Sequence, residues 1–264
     1  MPPDGHSARR LSRTGVHASI DPCATVPDAA VLRIGGAEQS HVDRGDPQRI
    51  LYEYLRRIAF ALDVFRPAGA PISIVHLGAG ALTLPRYVEA TRPGSQQTAV
   101  DWEPELFAFV LEALPLAPGT RLETRIGDAR EQVMEMFVAE GRPAVDAVVI
   151  DIFTGSDSPA HLANRGFYAE LAGVLKPDGI LVVNIGDEPG LRFAAAQISA
   201  LEAIFPTVAV AGETNMFTGR FPGNLVALAS AEPFPRAFLT ELRALGPHPG
   251  LVLDGVDLDR FGKP

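Results

Sequence analysis

Ile72–Ser73–Ile74–Val75–His76–Leu77–Gly78–Ala79–Gly80 is the stretch that decides the fold, because a short apolar strand runs directly into a turn of small residues. Glycine lets the backbone turn sharply and lets a ligand come close to the main chain. The helix that follows such a turn presents free backbone N–H groups at its first residues. A strand, a small-residue turn and a helix in this order are typical of nucleotide-binding α/β sheets.

Strands and helices alternate on the C-terminal side of this turn. Apolar strands are predicted over 97–102, 121–126, 144–150 and 180–185, and helices over 82–91, 104–114, 128–139, 166–175 and 191–205. Strands that alternate with helices of this length form a parallel sheet covered on both faces. The sequence therefore predicts an α/β, Rossmann-like fold, closed by an antiparallel pair over 208–211 and 225–229.

The residues before the sheet divide into two segments. Residues 1–27 are polar and are expected to form a flexible tail, whereas residues 28–45 contain a strand signal and predict a short N-terminal β region. Asp46–Pro47 resembles a helix start. Residues 46–264 are then the Rossmann-like, nucleoside-binding domain, and its first helix carries Tyr54 on the apolar face.

Composition excludes several classes of protein. A formal net charge of −9 disfavours binding to nucleic acid, because a phosphate backbone rewards clustered lysine and arginine. No apolar run is long enough to span a bilayer, so we expect a cytoplasmic protein without a membrane partner. Cys23 is the only cysteine and the histidines show no metal-ligand spacing, so we expect no metal.

Three acidic residues follow predicted strands, where ligands bind in open α/β sheets. Asp101 lies roughly 20 residues after the glycine turn, where such folds usually place a carboxylate that binds the ribose hydroxyls. The alternative is that Asp101 caps the helix that follows. Asp128 is an N-cap, an adenine contact or both. Asp151 leaves a buried strand and is the best catalytic candidate.

An NAD-dependent dehydrogenase is disfavoured because Thr83 interrupts the pattern Gly-x-Gly-x-x-Gly.

In their order, these motifs resemble the spermidine synthases and their bacterial relatives, within the class I AdoMet-dependent transferase fold. The resemblance implies that an AdoMet-type cofactor contacts Gly78, Ala79, Gly80, Asp101, Trp102, Gly127, Asp128 and Gln39. It places Asp151 where the family activates an amine. Tyr52, Glu53, Thr154 and Asp157 are the candidates for contact with a small-molecule amine acceptor. Trp102 is either a neighbour of the adenine or an interior aromatic residue. Relatives of this kind commonly form homodimers.

Two departures from the family bear on the donor. The glycine-rich turn of aminopropyltransferases carries an aspartate for the donor's amine, and Ala81 stands in its place. Thr154 stands at the second aspartate of the family's Asp-Ser-Ser-Asp-Pro. A buried ammonium without carboxylate partners is disfavoured. Methyl transfer from S-adenosylmethionine (AdoMet) is therefore slightly favoured. Aminopropyl transfer from decarboxylated AdoMet is the alternative, and a non-catalytic nucleoside-binding protein is the second alternative.

Overall fold

The computed structural model describes residues 7–154, 158–258 and 261. Its first element is a four-stranded antiparallel sheet in the order β1-β2-β3-β4. The strands are β1 (Ser7–Arg10), β2 (His17–Pro22), β3 (Ala29–Ile34) and β4 (Ala37–Asp43). From Ser7 onward, the structure thus differs from the flexible tail expected over residues 1–27, of which residues 1–6 lie outside the described part. Leu11 and Ala18 are fully buried against the helix over 106–113, and this burial holds the two extra strands in place.

An eight-stranded sheet forms the centre of the molecule, in the order β12-β10-β11-β9-β8-β5-β6-β7. Strands β5 to β9 run parallel, and β11, β10 and β12 continue the sheet in antiparallel fashion. The bounds are β5 (Ser73–Leu77), β6 (Gln96–Asp101), β7 (Leu122–Ile126), β8 (Val145–Thr154), β9 (Leu175–Asp187), β10 (Thr207–Glu213), β11 (Gly223–Ser230) and β12 (Gly250–Asp254). The predicted α/β Rossmann-like sheet is confirmed.

Helices cover both faces of this sheet. One face packs against α1 (Glu53–Phe65), α2 (Thr83–Thr91) and α7 (Arg236–Leu245), and the other against α4 (Ala129–Met134), α5 (Arg165–Val174) and α6 (Arg192–Glu202). α3 (Leu106–Ala113) packs beneath the N-terminal sheet, and α8 (Gly255–Leu258) follows β12. Within the described ranges, no helix has the length and apolarity needed to cross a membrane.

The first helix starts later than its sequence signal indicates. Asp46 accepts a hydrogen bond from Gln48 N at 3.1 Å on its side chain and one from Arg49 N at 2.9 Å on its carbonyl, which closes a single turn. The chain then extends through Tyr52, and α1 begins at Glu53. This start places Tyr52, Glu53 and Tyr54 next to the carboxyl end of the sheet.

Candidate active site

A cleft of about 1170 Å³ opens at the carboxyl ends of the parallel strands. It brings together most of the residues that the sequence singles out: Gln39, Tyr52, Glu53, Gly78, Ala79, Gly80, Asp101, Trp102, Gly127, Asp128 and Asp151. Thr154 is the last residue of β8, but its side chain lies outside the described part of the chain, as does Asp157. Within the described part, no group of three or more histidine, cysteine or acidic side chains is arranged to hold a metal ion.

The glycine turn brings β5 close to both neighbouring segments. Gly78 has φ +84°, and a Cβ there would lie 2.4 Å from the backbone oxygen of Asp151. Gly80 has φ +48°, and its Cβ would meet Ser40 Oγ at 2.3 Å. Ser40 Oγ accepts a hydrogen bond from Ala81 N at 3.1 Å. The Gln39–Ser40 segment therefore docks on the turn. A side chain at Gly78 requires a backbone shift, and one at Gly80 requires Ser40 Oγ to move.

Asp101 ends β6, and its carboxylate oxygens can accept further hydrogen bonds. Its Oδ2 accepts a hydrogen bond from Ala79 N at 3.3 Å, and its Oδ1 accepts one from Glu103 N at 3.0 Å. Burial raises the pKa of Asp101, against the opposing effect of these two amides. Each carboxylate oxygen can accept a second hydrogen bond, so the group fits a pair of ribose hydroxyls. α3 begins only at Leu106, so Asp101 caps a turn and not the helix.

Asp128 is the N-cap of α4. Its Oδ1 accepts hydrogen bonds from Arg130 N at 3.0 Å and Glu131 N at 3.2 Å, and its Oδ2 lies 2.6 Å from His161 Nε2. Burial acts to raise the pKa of Asp128, but His161 and the backbone amides outweigh it and hold the pKa below its usual value. The capping role is confirmed, and the adenine contact stays a prediction.

The loop between β1 and β2 forms a wall of the cleft that the sequence interpretation missed. Glu103 is buried and accepts hydrogen bonds from Arg13 N at 3.2 Å and Thr14 N at 2.8 Å. The Arg13 guanidinium lies 5.5 Å from the ring centre of Trp102. Trp102 is 50% exposed, so the alternative of an interior aromatic residue is wrong. An N-terminal segment taken for a flexible tail gave no reason to expect these contacts.

Asp151 lines the cleft from β8. Its Oδ1 accepts a hydrogen bond from Asn184 Nδ2 at 2.7 Å, and its Oδ2 accepts a longer one from the Tyr54 hydroxyl at 3.4 Å. Burial raises the pKa of Asp151, and the two donors offset only part of that shift. No ion pair between described residues involves Asp151. A half-buried carboxylate without a cation is suited to bind an ammonium or to take up a proton.

The partners of Asp151 are themselves held in place. Asn224 Nδ2 donates a hydrogen bond to Asn184 Oδ1 at 3.0 Å, which turns the Asn184 amide N–H toward Asp151. The Tyr54 ring stacks on Tyr52, with ring centres 6.3 Å apart. Burial and the nearby carboxylate raise the pKa of Tyr54, so it remains a neutral donor. Helical spacing places Tyr54 with the core, and spacing alone does not separate a core residue from one that lines a cleft.

Tyr52 and Glu53 line the same cleft from the start of α1. The Tyr52 hydroxyl donates a hydrogen bond to Glu38 Oε2 at 3.3 Å, and burial, with the Glu38 carboxylate, raises the pKa of Tyr52 to about 12. Glu53 Oε2 lies 3.9 Å from Nη2 of the buried Arg57. Contact of Tyr52 and Glu53 with an acceptor stays a prediction.

Curated proteins with similar sequences fall into two groups. No family model matches the chain. A polyamine aminopropyltransferase from Neisseria meningitidis serogroup A is 27% identical over 167 residues, covering 62% of this chain and 61% of that protein. An N-terminal histidine N-methyltransferase from Emericella nidulans is 27% identical over 206 residues, covering 74% of this chain and 36% of that protein. The chain therefore spans less than two thirds of the length of these relatives.

A solved structure matches over nearly the whole chain. The crystal structure of a probable spermidine synthase from Corynebacterium glutamicum has a TM-score of 0.86 and 26% sequence identity, and the match covers 97% of this chain and 93% of that one. This similarity includes the N-terminal sheet as well as the Rossmann-like sheet. Together with the sequence relatives, this match shows that the chain is similar to the spermidine synthases and has the fold of the class I methyltransferases.

Proposed function

We propose that this chain is a transferase that binds an AdoMet-type sulfonium donor and passes its methyl group to the nitrogen of a small-molecule amine. One observation carries the proposal: the glycine turn, the ribose candidate Asp101 and the hydrogen-bonded Asp151 line a single cleft. The cleft volume of about 1170 Å³ exceeds the roughly 300–1,000 Å³ of common ligand sites, which leaves room for a donor and an acceptor.

The residues around the glycine turn fit the nucleoside part of such a donor. Asp101 has free acceptor capacity for the ribose hydroxyls, and Trp102 offers an exposed ring beside it. Gln39, Gly127 and Asp128 complete the predicted binding set in the same cleft. When bound, the sulfonium supplies an electrophilic carbon with a thioether as its leaving group.

Asp151 is the residue that would act on the acceptor. Its carboxylate accepts a hydrogen bond from the amine and takes up the proton that the nitrogen loses as it forms its new bond. Tyr54 and Asn184 fix the carboxylate from two directions, so the amine is held in one orientation. Alignment and exclusion of water supply much of the rate when the leaving group is already good.

The surroundings of Ala81 support methyl transfer over aminopropyl transfer. Ala81 is fully buried, and its backbone N–H donates a hydrogen bond to Ser40 Oγ. Without a carboxylate at this place, the aminopropyl ammonium of decarboxylated AdoMet lacks a partner, and the carboxylate of AdoMet meets no repulsion. Aminopropyl transfer to a polyamine remains the alternative, since relatives named for each activity match the chain equally well by identity.

A non-catalytic nucleoside-binding protein is the second alternative. A salt bridge that holds Asp151 away from the cleft, or a cleft too shallow for an acceptor, would support that alternative. Asp151 instead lines the cleft without an ion pair among the described residues, beside hydrogen-bond partners that orient it. These features support an enzyme.

Calorimetric titration tests the donor. The purified protein is titrated with AdoMet, decarboxylated AdoMet, S-adenosylhomocysteine and methylthioadenosine. We expect AdoMet and S-adenosylhomocysteine to bind at least tenfold more tightly, about 1.4 kcal/mol. The opposite preference supports aminopropyl transfer, and the absence of binding by all four ligands contradicts the proposed nucleoside site.

A further inference from the structure

His76 lies beneath Asp151 on the same face of the sheet. In the pairing of β5 with β8, His76 is opposite Val149, two residues before Asp151. Side chains two residues apart on a strand point to the same face, which here is the face covered by α1 and α2. His76 is 2% exposed but still lines the cleft. The cleft therefore reaches His76.

Apolar side chains on the same face of the sheet also line the cleft. Leu55 from α1, Leu84 from α2 and Val149 from β8 line the cleft near the same sheet face. Pro85 also lines it, and its carbonyl oxygen is already bonded to Gln97. A group that packs against these side chains exchanges water for an apolar surface, so any polar atom that it carries there needs a hydrogen-bond partner.

The hydrogen bonds of Gln97 fix the tautomer of His76. Gln97 Nε2 donates to the carbonyl oxygen of Pro85 at 3.1 Å, so Gln97 Oε1 is the atom that lies 3.0 Å from His76 Nε2. An amide oxygen only accepts, so His76 Nε2 carries the proton and Nδ1 holds a lone pair. This Nδ1 is buried and has no hydrogen-bond partner among the described residues. Burial lowers the pKa of His76 to about 4, which keeps the ring neutral near pH 7.

We propose that Nδ1 of His76 accepts a hydrogen bond from an uncharged donor, a hydroxyl or an amide N–H, on the acceptor substrate. This inference rests on the proposed function, because it assigns the distal end of the amine that Asp151 holds. A second ammonium is disfavoured there, since burial of a charge next to a neutral ring and apolar side chains is costly. His76 is thus a specificity-determining residue that selects amino alcohols or amino amides over simple diamines.

The geometry of the sheet sets the length of the acceptor. Two residues along a strand cover roughly 6.6 Å and neighbouring strands lie about 4.8 Å apart, so the backbones of His76 and Asp151 are about 8 Å apart. This separation fits a short acceptor, and we therefore test one with three carbons between the reacting nitrogen and the distal donor.

A matched pair of ligands tests the proposal. 3-Amino-1-propanol and n-butylamine differ only in a hydroxyl that replaces a methyl group. Their binding is measured by calorimetry on protein saturated with S-adenosylhomocysteine, for the wild type, His76→Leu and His76→Asn. We expect the wild type to prefer the amino alcohol by at least tenfold, His76→Leu to lose the preference and His76→Asn, whose amide oxygen still accepts, to keep part of it. In turnover, the change falls on KM and leaves kcat within about threefold.

Nitrogen NMR of the histidine rings gives a readout that does not require turnover or a variant. We expect the wild-type His76 ring to show the Nε2–H tautomer, and its Nδ1 resonance to move when 3-amino-1-propanol binds but not when n-butylamine binds. The Nδ1–H tautomer, the same ligand preference in wild type and His76→Leu, or binding of neither amine refutes the inference. None of these outcomes affects binding of S-adenosylhomocysteine itself, whose failure would instead contradict the proposed function.

Discussion

Asn184 and Asp151 are joined in the cleft by a hydrogen bond of 2.7 Å from the Asn184 amide to Asp151 Oδ1. Asn224 holds the other end of the Asn184 amide, so Asp151 is fixed by a chain of two amides that starts on β11 and runs through β9 to β8. Among the described residues, the remaining oxygen of Asp151 accepts only the long bond from Tyr54 at 3.4 Å. This oxygen is the one available to an amine.

Replacement of Asp151 by asparagine is expected to remove most turnover and leave the nucleoside site intact. A general base contributes about 10²–10⁴-fold to rate, and Asp151 makes no hydrogen bond to the glycine turn through its side chain. Turnover is measured with the best amine found, and AdoMet affinity by calorimetry. Asp254→Asn, on the distant strand β12, serves as the control. If Asp151→Asn lost AdoMet binding but kept normal turnover, the assignment of Asp151 as the residue that acts on the amine would be wrong.

The pH dependence of kcat/KM is expected to change when either hydrogen-bond donor to Asp151, Tyr54 or Asn184, is removed. Asp151 acts as the ionised form, so activity rises as the pH rises through its pKa, which burial already raises. Removal of a donor to the carboxylate raises that pKa further. The acidic limb of the profile therefore moves to higher pH in Tyr54→Phe, and further in Asn184→Ala, which loses the shorter bond.

Tyr87→Phe is the matched control for that profile. Tyr87 also donates to a carboxylate, Asp63, at 2.5 Å, but the pair lies outside the cleft lining. Its removal is expected to leave the acidic limb in place. An equal shift in Tyr54→Phe and Tyr87→Phe would show that the limb does not report Asp151.

Asp101→Asn is expected to weaken AdoMet binding by about 10–100-fold. Hydrogen bonds to a charged group contribute about 1.5–3 kcal/mol, and the amide that replaces the carboxylate turns a donor toward Ala79 N or Glu103 N. Affinity is measured by calorimetry with AdoMet and S-adenosylhomocysteine. Glu112→Gln, at an exposed position on α3, is the control. Unchanged affinity in Asp101→Asn would remove the ribose contact from the proposed site.

The parts of the fold and site that could be read from the sequence are those set by local pattern. Alternating strands and helices after Ile72 predict the parallel sheet, and the carboxyl ends of parallel strands meet at one edge. Gly78, Asp101 and Asp151 therefore converge although up to 73 residues separate them in the sequence. The resemblance to a family adds the roles of these residues.

The parts of the fold and site that the sequence does not predict depend on pairing between residues far apart in the chain. Asn184 and Asn224 are single amides in apolar strands, and only the antiparallel pairing of β11 with β9 brings them together. The strands from Ser7 to Pro22 are short and polar, and they are stabilised by burial of Leu11 against α3 and by backbone bonds to Glu103. Neither kind of contact leaves a local signal.

Gly78→Ala is expected to destabilise the fold more than Gly94→Ala does. Both glycines have φ +84°, so both variants carry the same backbone strain, of about 1–3 kcal/mol. A Cβ at Gly94 meets nothing within 4 Å, whereas one at Gly78 lies 2.4 Å from the backbone oxygen of Asp151. The free energy of unfolding from urea titration should therefore fall further in Gly78→Ala, and AdoMet binding should be lost only there. Equal losses would mean that the turn adapts without a shift of β8.

The stability of the protein is expected to fall between about pH 6.5 and pH 4 because of His76. Burial lowers the pKa of His76 from 6.5 to about 4, so the unfolded chain takes up a proton on this ring at a pH where the folded protein does not. A state that binds more protons is favoured as the pH falls. The stabilisation is therefore complete above pH 6.5, and its loss approaches about 3 kcal/mol at pH 4.

Comparison of two histidine variants isolates this contribution. His76→Leu removes the titrating ring, so its free energy of unfolding, measured by urea titration, should fall less than that of the wild type over the same pH range. His17→Gln removes an exposed histidine of β2 and should follow the wild type. A parallel decline in wild type and His76→Leu would mean that the ring gains a proton in the folded state near its ordinary pKa. Its Nδ1 would then be a donor at mildly acidic pH, and selection of a donor group on the acceptor would weaken there.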